Sequence, residues 1–392
     1  MMSLLRYLIL PVVCGLALGA CNPDPQEQWA RAKQAYSVHD YQTARVDLMA
    51  ALKTRPDDPV FLELLVRTQI ALDDGDGAET TLQHLQTIGK APADHVILAA
   101  DAALLKGQFA HALSLVNTHD SAEAARIRGL ALLGQGKVAE AGKILGSDLE
   151  SSGPRSALMA AYARYLLDEG ELAEADRLAR QALTDNGEER VALQVLAGVA
   201  AAQGRHAAAL LANERLLKIY PHDLTGLFGT VSALGELGRI DEIEPVLGKI
   251  ERLAPQHPSV VFVKARLAAE RKDWAKVRAI LQPLERDIDT RPELQWLYAQ
   301  AFLNLGQVEQ ARAYLSPLLL HEPHNGDVRL ALAQVQIAGQ DRRAALATLR
   351  PFADDQQASV QALDLLARVA GEEGDPQAGI YAARARAVRN GS

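Results

Sequence analysis

The sequence is short of the residues that build sheets and cross-links. Aromatic residues make up 5% of its 392 positions, with only three Trp and six Phe. So little ring and β-branched mass excludes large sandwiches and barrels. Cysteine occurs twice, at Cys14 and Cys21, so the body of the chain holds no disulfide framework and no Cys-rich zinc site. Basic excess is absent too: 41 Lys and Arg stand against 49 Asp and Glu, a net charge of −8. An acidic surface repels phosphate backbones, which argues against nucleic acid as a partner. Catalytic signatures are also missing. The chain has no GxxxxGK[ST], HExxH, GxSxG or paired CxxC. His321 and His324 flank Pro323 and read as a solvated loop pair rather than metal ligands. No catalytic residue, metal or cofactor is expected. What the chain does have is Ala and Leu, which dominate its 48% hydrophobic content. These are the strongest helix formers, and the expected class is all-α.

The first residues read as an address. Arg6 precedes an apolar run from Tyr7 to Leu18, then Gly19, Ala20 and Cys21. A basic start, a short apolar core and small residues before a cut site make a secretory signal peptide over 1–20. Leu18-Gly19-Ala20-Cys21 resembles the bacterial lipobox. That resemblance implies cleavage before Cys21 and a lipid on its thiol, hence a periplasmic, membrane-tethered chain. Asn22, where inner-membrane lipoproteins of enterobacterial type carry Asp, implies the outer membrane rather than the inner. Residues 21–25 are a short linker.

The rest is one unit counted repeatedly. A small or apolar residue recurs at Ala44, Ala78, Ala112, Ala141, Ala175, Ala209, Ile243, Val277, Ala311, Ala345 and Gly379. A second series runs twelve residues earlier: Ala32, Val66, Ala100, Gly129, Ala163, Ala197, Val231, Ala265, Ala299, Ala333 and Ala367. Between them lies a turn position, held by Gly in seven units and by His39, Asp73, Lys272 and Gln340 in the others. The period is about 34 residues, that of the tetratricopeptide repeat (TPR). The pattern resembles that repeat over 26–389 in eleven helix-turn-helix units, which implies a right-handed α-α superhelix. One interval, between Ala112 and Ala141, is shorter. It predicts a short second helix in the third unit. Near 117–121 the superhelix then either kinks or absorbs the loss in the loop.

The first 150 residues resemble something narrower. Ala30-Arg31-Ala32-Lys33, His39 through Ala44, Leu48 through Lys53, Ala71 through Glu79, and Arg128 through Gly134 follow closely on the lipobox Cys. This is similar to the start of the PEP-CTERM-system TPR lipoproteins, although those typically carry more repeats. The resemblance implies a non-catalytic scaffold in exopolysaccharide or PEP-CTERM surface export. Outer-membrane assembly or pilus biogenesis, and glycan binding, are the alternative roles.

In TPR proteins the first helix of each pair lines the concave face. The position three before its small residue holds large apolar side chains in four consecutive units: Phe228, Phe262, Trp296 and Leu330. The next inward position includes Arg164, Arg266 and Gln300, the last two a helical turn from Phe262 and Trp296. These rings either pack between helices or meet a ligand. A groove of this kind suits an extended peptide of an envelope protein, or a polysaccharide stacked on the rings.

Overall fold

The computed structural model describes residues 24–147, 149, 154–255 and 257–391. Cys21, its lipobox and the signal segment lie outside them. Among the described residues the protein is all-helical, with 22 α-helices in consecutive packed pairs. It divides into two compact units, 1–237 and 238–392. The first contains α1 Pro25–Ser37, α2 Tyr41–Leu52, α3 Pro59–Ala71, α4 Gly75–Thr87, α5 His95–Leu105, α6 Phe109–Leu115, α7 Ala122–Gly134, α8 Val138–Ser147, α9 Ser156–Asp168, α10 Leu172–Asp185, α11 Arg190–Ala202, α12 His206–Ile219 and α13 Leu224–Glu236. The second contains α14 Ile243–Leu253, α15 Pro258–Glu270, α16 Trp274–Leu281, α17 Pro292–Asn304, α18 Val308–His321, α19 Gly326–Ala338, α20 Arg342–Leu349, α21 Val360–Glu372 and α22 Ala378–Gly391. Within each unit a helix packs on its pair-mate and on the helix that follows, the arrangement of a TPR stack.

Local chemistry sets these boundaries. Asp24, Asp40, Asp58, Asp74, Asp273 and Asp341 each cap a helix, their side chains accepting a first-turn amide. Pro25, Pro59, Pro258 and Pro292 open helices where no amide is needed. All eleven turn positions have positive φ: seven are Gly, and His39, Asp73, Lys272 and Gln340 lie between 56° and 64°. A Cβ in this left-handed region costs about 1–2 kcal/mol. Gln340 is exposed, so nothing visible compensates. After allowance for glycine's larger unfolded-state entropy, Gln340→Gly is expected to stabilise the second unit by about 0.5–1 kcal/mol. A higher urea midpoint for that unit is the check.

The small-residue series form the core. Ala32, Val66, Ala100, Ala163, Ala265, Ala299 and Ala333 are fully covered, as are Ala44, Ala78, Ala112, Ala141, Ala175, Val277, Ala311 and Ala345. Gly129 shows why bulk is excluded: a Cβ there would lie 2.4 Å from Leu145. The last unit departs from the pattern. Gly379, expected between helices, is exposed with nothing near the place of its missing Cβ. The other second helices start two residues after their turn, save α14, which follows a 3-10 turn at Ile240–Glu242, but α22 starts four after Gly374. The buried positions slide accordingly to Tyr381 and Ala385. The short third unit does have a short second helix: α6 is seven residues long. Its following loop is held by Arg128, which donates to the His119 carbonyl.

Candidate functional site

The second unit carries a cleft of about 500 Å³ between α15 and α17, bordered by the start of α16. Phe262 and Arg266 enter it from α15, Trp296 and Gln300 from α17, and Trp274 from α16. The geometry follows from the repeat: residues three or four apart share a helix face, and a 34-residue step carries that face to the next pair. Phe262, Trp274 and Trp296 are half-buried, each with part of its surface on the core around Tyr298 and Leu315. The rings therefore both pack and line the cleft. Arg266 is exposed, and Glu270, Lys272 and Glu293 complete the rim. A second cleft, about 770 Å³, lies between α19 and α21, with Gln334, Ile337, Val360, Leu365 and Arg368 among its walls.

The first unit treats the same inward positions differently. Arg67 bridges Glu63 at 2.9 Å and Asp94 at 3.0 Å. Arg126 of α7 bonds both Asp101 oxygens, at 2.7 and 2.9 Å, and Glu123 at 2.8 Å. The Arg126 and Asp101 side chains are each only 17% exposed. Burial raises the Asp101 carboxyl above its ordinary pKa despite Arg126. Burial alone would lower the Arg126 pKa, but the two carboxylates outweigh it and hold the guanidinium charged. Burial also lifts Glu189 at the start of α11, with the Val191 amide and Arg126 pulling the other way.

This unit also closes on itself. The α1–α2 turn reaches residues of the fifth and sixth repeats. The His39 ring lies 4.3 Å from Tyr220 and its Nε2 3.7 Å from Glu188. Tyr41 packs on the cluster of Leu193, Leu216 and Tyr220. The Tyr220 hydroxyl donates to the Glu188 carbonyl at 2.5 Å, and burial raises its pKa to about 12. Asp40 sits 3.8 Å from His222, and Arg190 reaches the Ala71 carbonyl at 3.4 Å.

The repeat geometry is matched by sequence models of known families. Residues 161–223 and 302–369 each match a tetratricopeptide repeat model, one segment in each unit, and in phase with the helix pairs. The chain carries tetratricopeptide repeats in both units. TPR stacks are built from units that contact mainly their neighbours and bind along an extended face, so the chain is a protein-interaction scaffold. No curated protein matches the sequence. Several solved TPR structures are similar at low identity. A tetratricopeptide repeat protein of Parabacteroides merdae is 16% identical, over 63% of this chain and 98% of its own, with a TM-score of 0.47. Pseudomonas aeruginosa pilF is 19% identical, over 55% and 96%, with 0.48. The Cut9 and Hcn1 hetero-tetramer of the APC/C is 14% identical, over 88% and 96%, with 0.48.

Of the positions singled out from this TPR sequence, Phe262, Arg266, Trp296 and Gln300 come together in one cleft. Leu330 is packed against the core of the last repeats. Phe228 lies on α13 of the first unit, half-buried. Arg164 is held by Asp168 one turn along its own helix at 3.2 Å. The closure residues His39, Tyr41, Glu188, Tyr220 and His222 were not foreseen, because no local spacing links positions so far apart. Among the described residues no three His, Cys, Asp or Glu side chains cluster as metal ligands, and no helix is long and apolar enough to cross a membrane.

Proposed function

We propose that this chain is a non-catalytic scaffold, anchored through a lipid on Cys21 at the periplasmic face of the outer membrane. It presents the α15–α17 cleft to a protein of an exopolysaccharide or PEP-CTERM surface-export system. One observation carries the interaction site. Half-buried rings at Phe262 and Trp296 stand beside uncommitted polar groups at Arg266 and Gln300, while Arg67 and Arg126 of the first unit are bonded to neighbouring acids. Aromatic side chains flanked by polar groups are the usual anchors of binding surfaces. The anchor and the pathway rest on the lipobox residues and on the resemblance of the first 150 residues.

In-cell crosslinking tests the reading with wild type, Trp296→Ala and Cys21→Ser. Wild type should capture a defined envelope protein, and Trp296→Ala, if its melting temperature holds, should lose most of that adduct. Unchanged capture removes the cleft from the interface. A secretin or pilus protein in the adduct replaces export with pilus biogenesis, and a glycan in place of a protein moves the scaffold into the glycan-binding class. Cys21→Ser should move from the membrane to the soluble fraction; continued membrane residence removes the lipid anchor.

A further inference from the structure

Along the inward face of the second unit one register position reads Arg266, Gln300, Gln334 and Arg368 at successive 34-residue steps. The two arginines line two clefts of that unit, and each glutamine belongs to one of them. Among the described residues neither guanidinium has an acid or carbonyl within bonding distance, and both are exposed. Arg252, Arg278, Arg286 and Arg291 share this lack of a partner, but none of them lines either cleft. At the matching positions of the first unit Arg67 and Arg164 are paired, and so is Arg126, one turn before the matching position of its own helix. Elsewhere in the second unit Arg271, Arg342, Arg350 and Arg389 find Glu244, Glu372, Asp375 and Asp364. The last of these pairs matters, because Arg389 neutralises Asp364, the acid nearest Arg368 on its own helix face, at 2.5 Å. Glu270 and Glu293 lie on the rim of the first cleft, balanced there by Lys272 as well as Arg266.

Charge over the whole chain is apportioned in the same sense. Basic and acidic residues balance within 238–392, so the net charge of −8 belongs entirely to the first unit. An acidic partner is therefore repelled by the first unit and not by the second. Guanidinium forks match carboxylates in two parallel hydrogen bonds, and a side-chain amide can donate to and accept from an extended backbone. The apolar walls between them, Phe262 and Trp296 in one cleft and Ile337 and Leu365 in the other, suit aliphatic side chains.

From this we infer that the partner segment is an extended acidic polypeptide. Its carboxylates pair with Arg266 and Arg368, its main chain runs over Gln300 and Gln334, and aliphatic side chains enter the two clefts. The inference rests on the scaffold reading above and adds the chemistry of the partner.

The test uses the full chain and fluorescein-labelled peptides of about 20 residues, which span roughly 65 Å extended. They carry periodic Leu in a Ser/Gly background, with Asp, Asn or Lys as the intervening residue. Anisotropy should show binding of the Asp peptide that weakens with salt, and binding of the Asn and Lys peptides at least about tenfold weaker. Arg266→Gln and Arg368→Gln should each weaken the Asp peptide about tenfold. Arg343→Gln, outside both clefts, should leave it unchanged. Equal affinity for Asp and Asn peptides, indifference to both arginine substitutions, or no binding of the Asp peptide overturns the acidic partner. Trp296→Ala separates the two readings. If it weakens any peptide or a β-glucan oligosaccharide while the arginine variants do not, the cleft remains the interface and only the acidic chemistry falls. If no probe responds to it, both fall.

Discussion

Arg126→Ala is expected to destabilise the first unit by about 3–5 kcal/mol, the cost of removing one partner from a covered ion pair. Arg126 holds Asp101 through two bonds and Glu123 through one, and both members of its main pair are 83% covered. Without it Asp101 must stay charged in a dry site or take up a proton. The pH dependence gives the loss a signature. Burial already places the folded Asp101 pKa above its ordinary value of 3.8, and Arg126 opposes that rise. Removing Arg126 raises it further. Over the window between 3.8 and the folded value, the folded state binds more protons than the unfolded one, so stability falls as pH rises. The deficit of the variant should therefore be smaller at pH 4 than at pH 7, level off above the raised pKa, and shrink when Asp101→Asn is added. Hydrogen exchange resolved by unit is the measurement. A deficit independent of pH would mean that the carboxylate is not the source.

Tyr298→Ala is expected to destabilise the second unit by a similar amount, about 3–5 kcal/mol. Tyr298 is 2% exposed and sits 4.5 Å from the Phe302 ring and 5.1 Å from Tyr314. Its removal opens a cavity where three rings meet between α17 and α18. Tyr298→Phe keeps the ring and should stay within about 1 kcal/mol of wild type. Two of the three tryptophans, Trp274 and Trp296, pack on the same core, so their fluorescence should report the lowered denaturation midpoint directly. Exchange in α1–α12 should not change, because repeats couple mainly to their neighbours. A loss spread equally over both units would show that they do not unfold separately.

The parts of this structure legible in the sequence are those that a period specifies. Gly in seven turn positions announced a left-handed backbone, and the four other residues at that phase, His39, Asp73, Lys272 and Gln340, adopt it as well. Period outweighs residue preference there because neighbouring helices leave no other way to reverse the chain. The same logic placed Phe262 and Trp296 beside Arg266 and Gln300. It failed where an interaction is not periodic. Gly379 was assigned to a helix contact on phase alone, but the late start of α22 hands that place to Tyr381. Arg164 shares its register with Arg266, yet an acid one turn away, Asp168, occupies it. Arg126 occupies an inward position of the repeat, but its bond to Asp101 depends on how two helices approach, which spacing does not encode. The contact of His39 and Tyr41 with Glu188 and Tyr220 joins repeats that no neighbour rule connects.

That last contact has a mechanical meaning. An open stack of repeats has two loose ends, and tension peels it one helix at a time. In the first unit the leading turn is clasped to the fifth and sixth repeats by Tyr220, Tyr41 and His39. A pull arriving through residue 24 is thus shared between the bond to the next helix and the clasp, two attachments loaded in parallel. The leading turn behaves as a buckle, and the first six repeats are expected to give way together rather than one helix at a time.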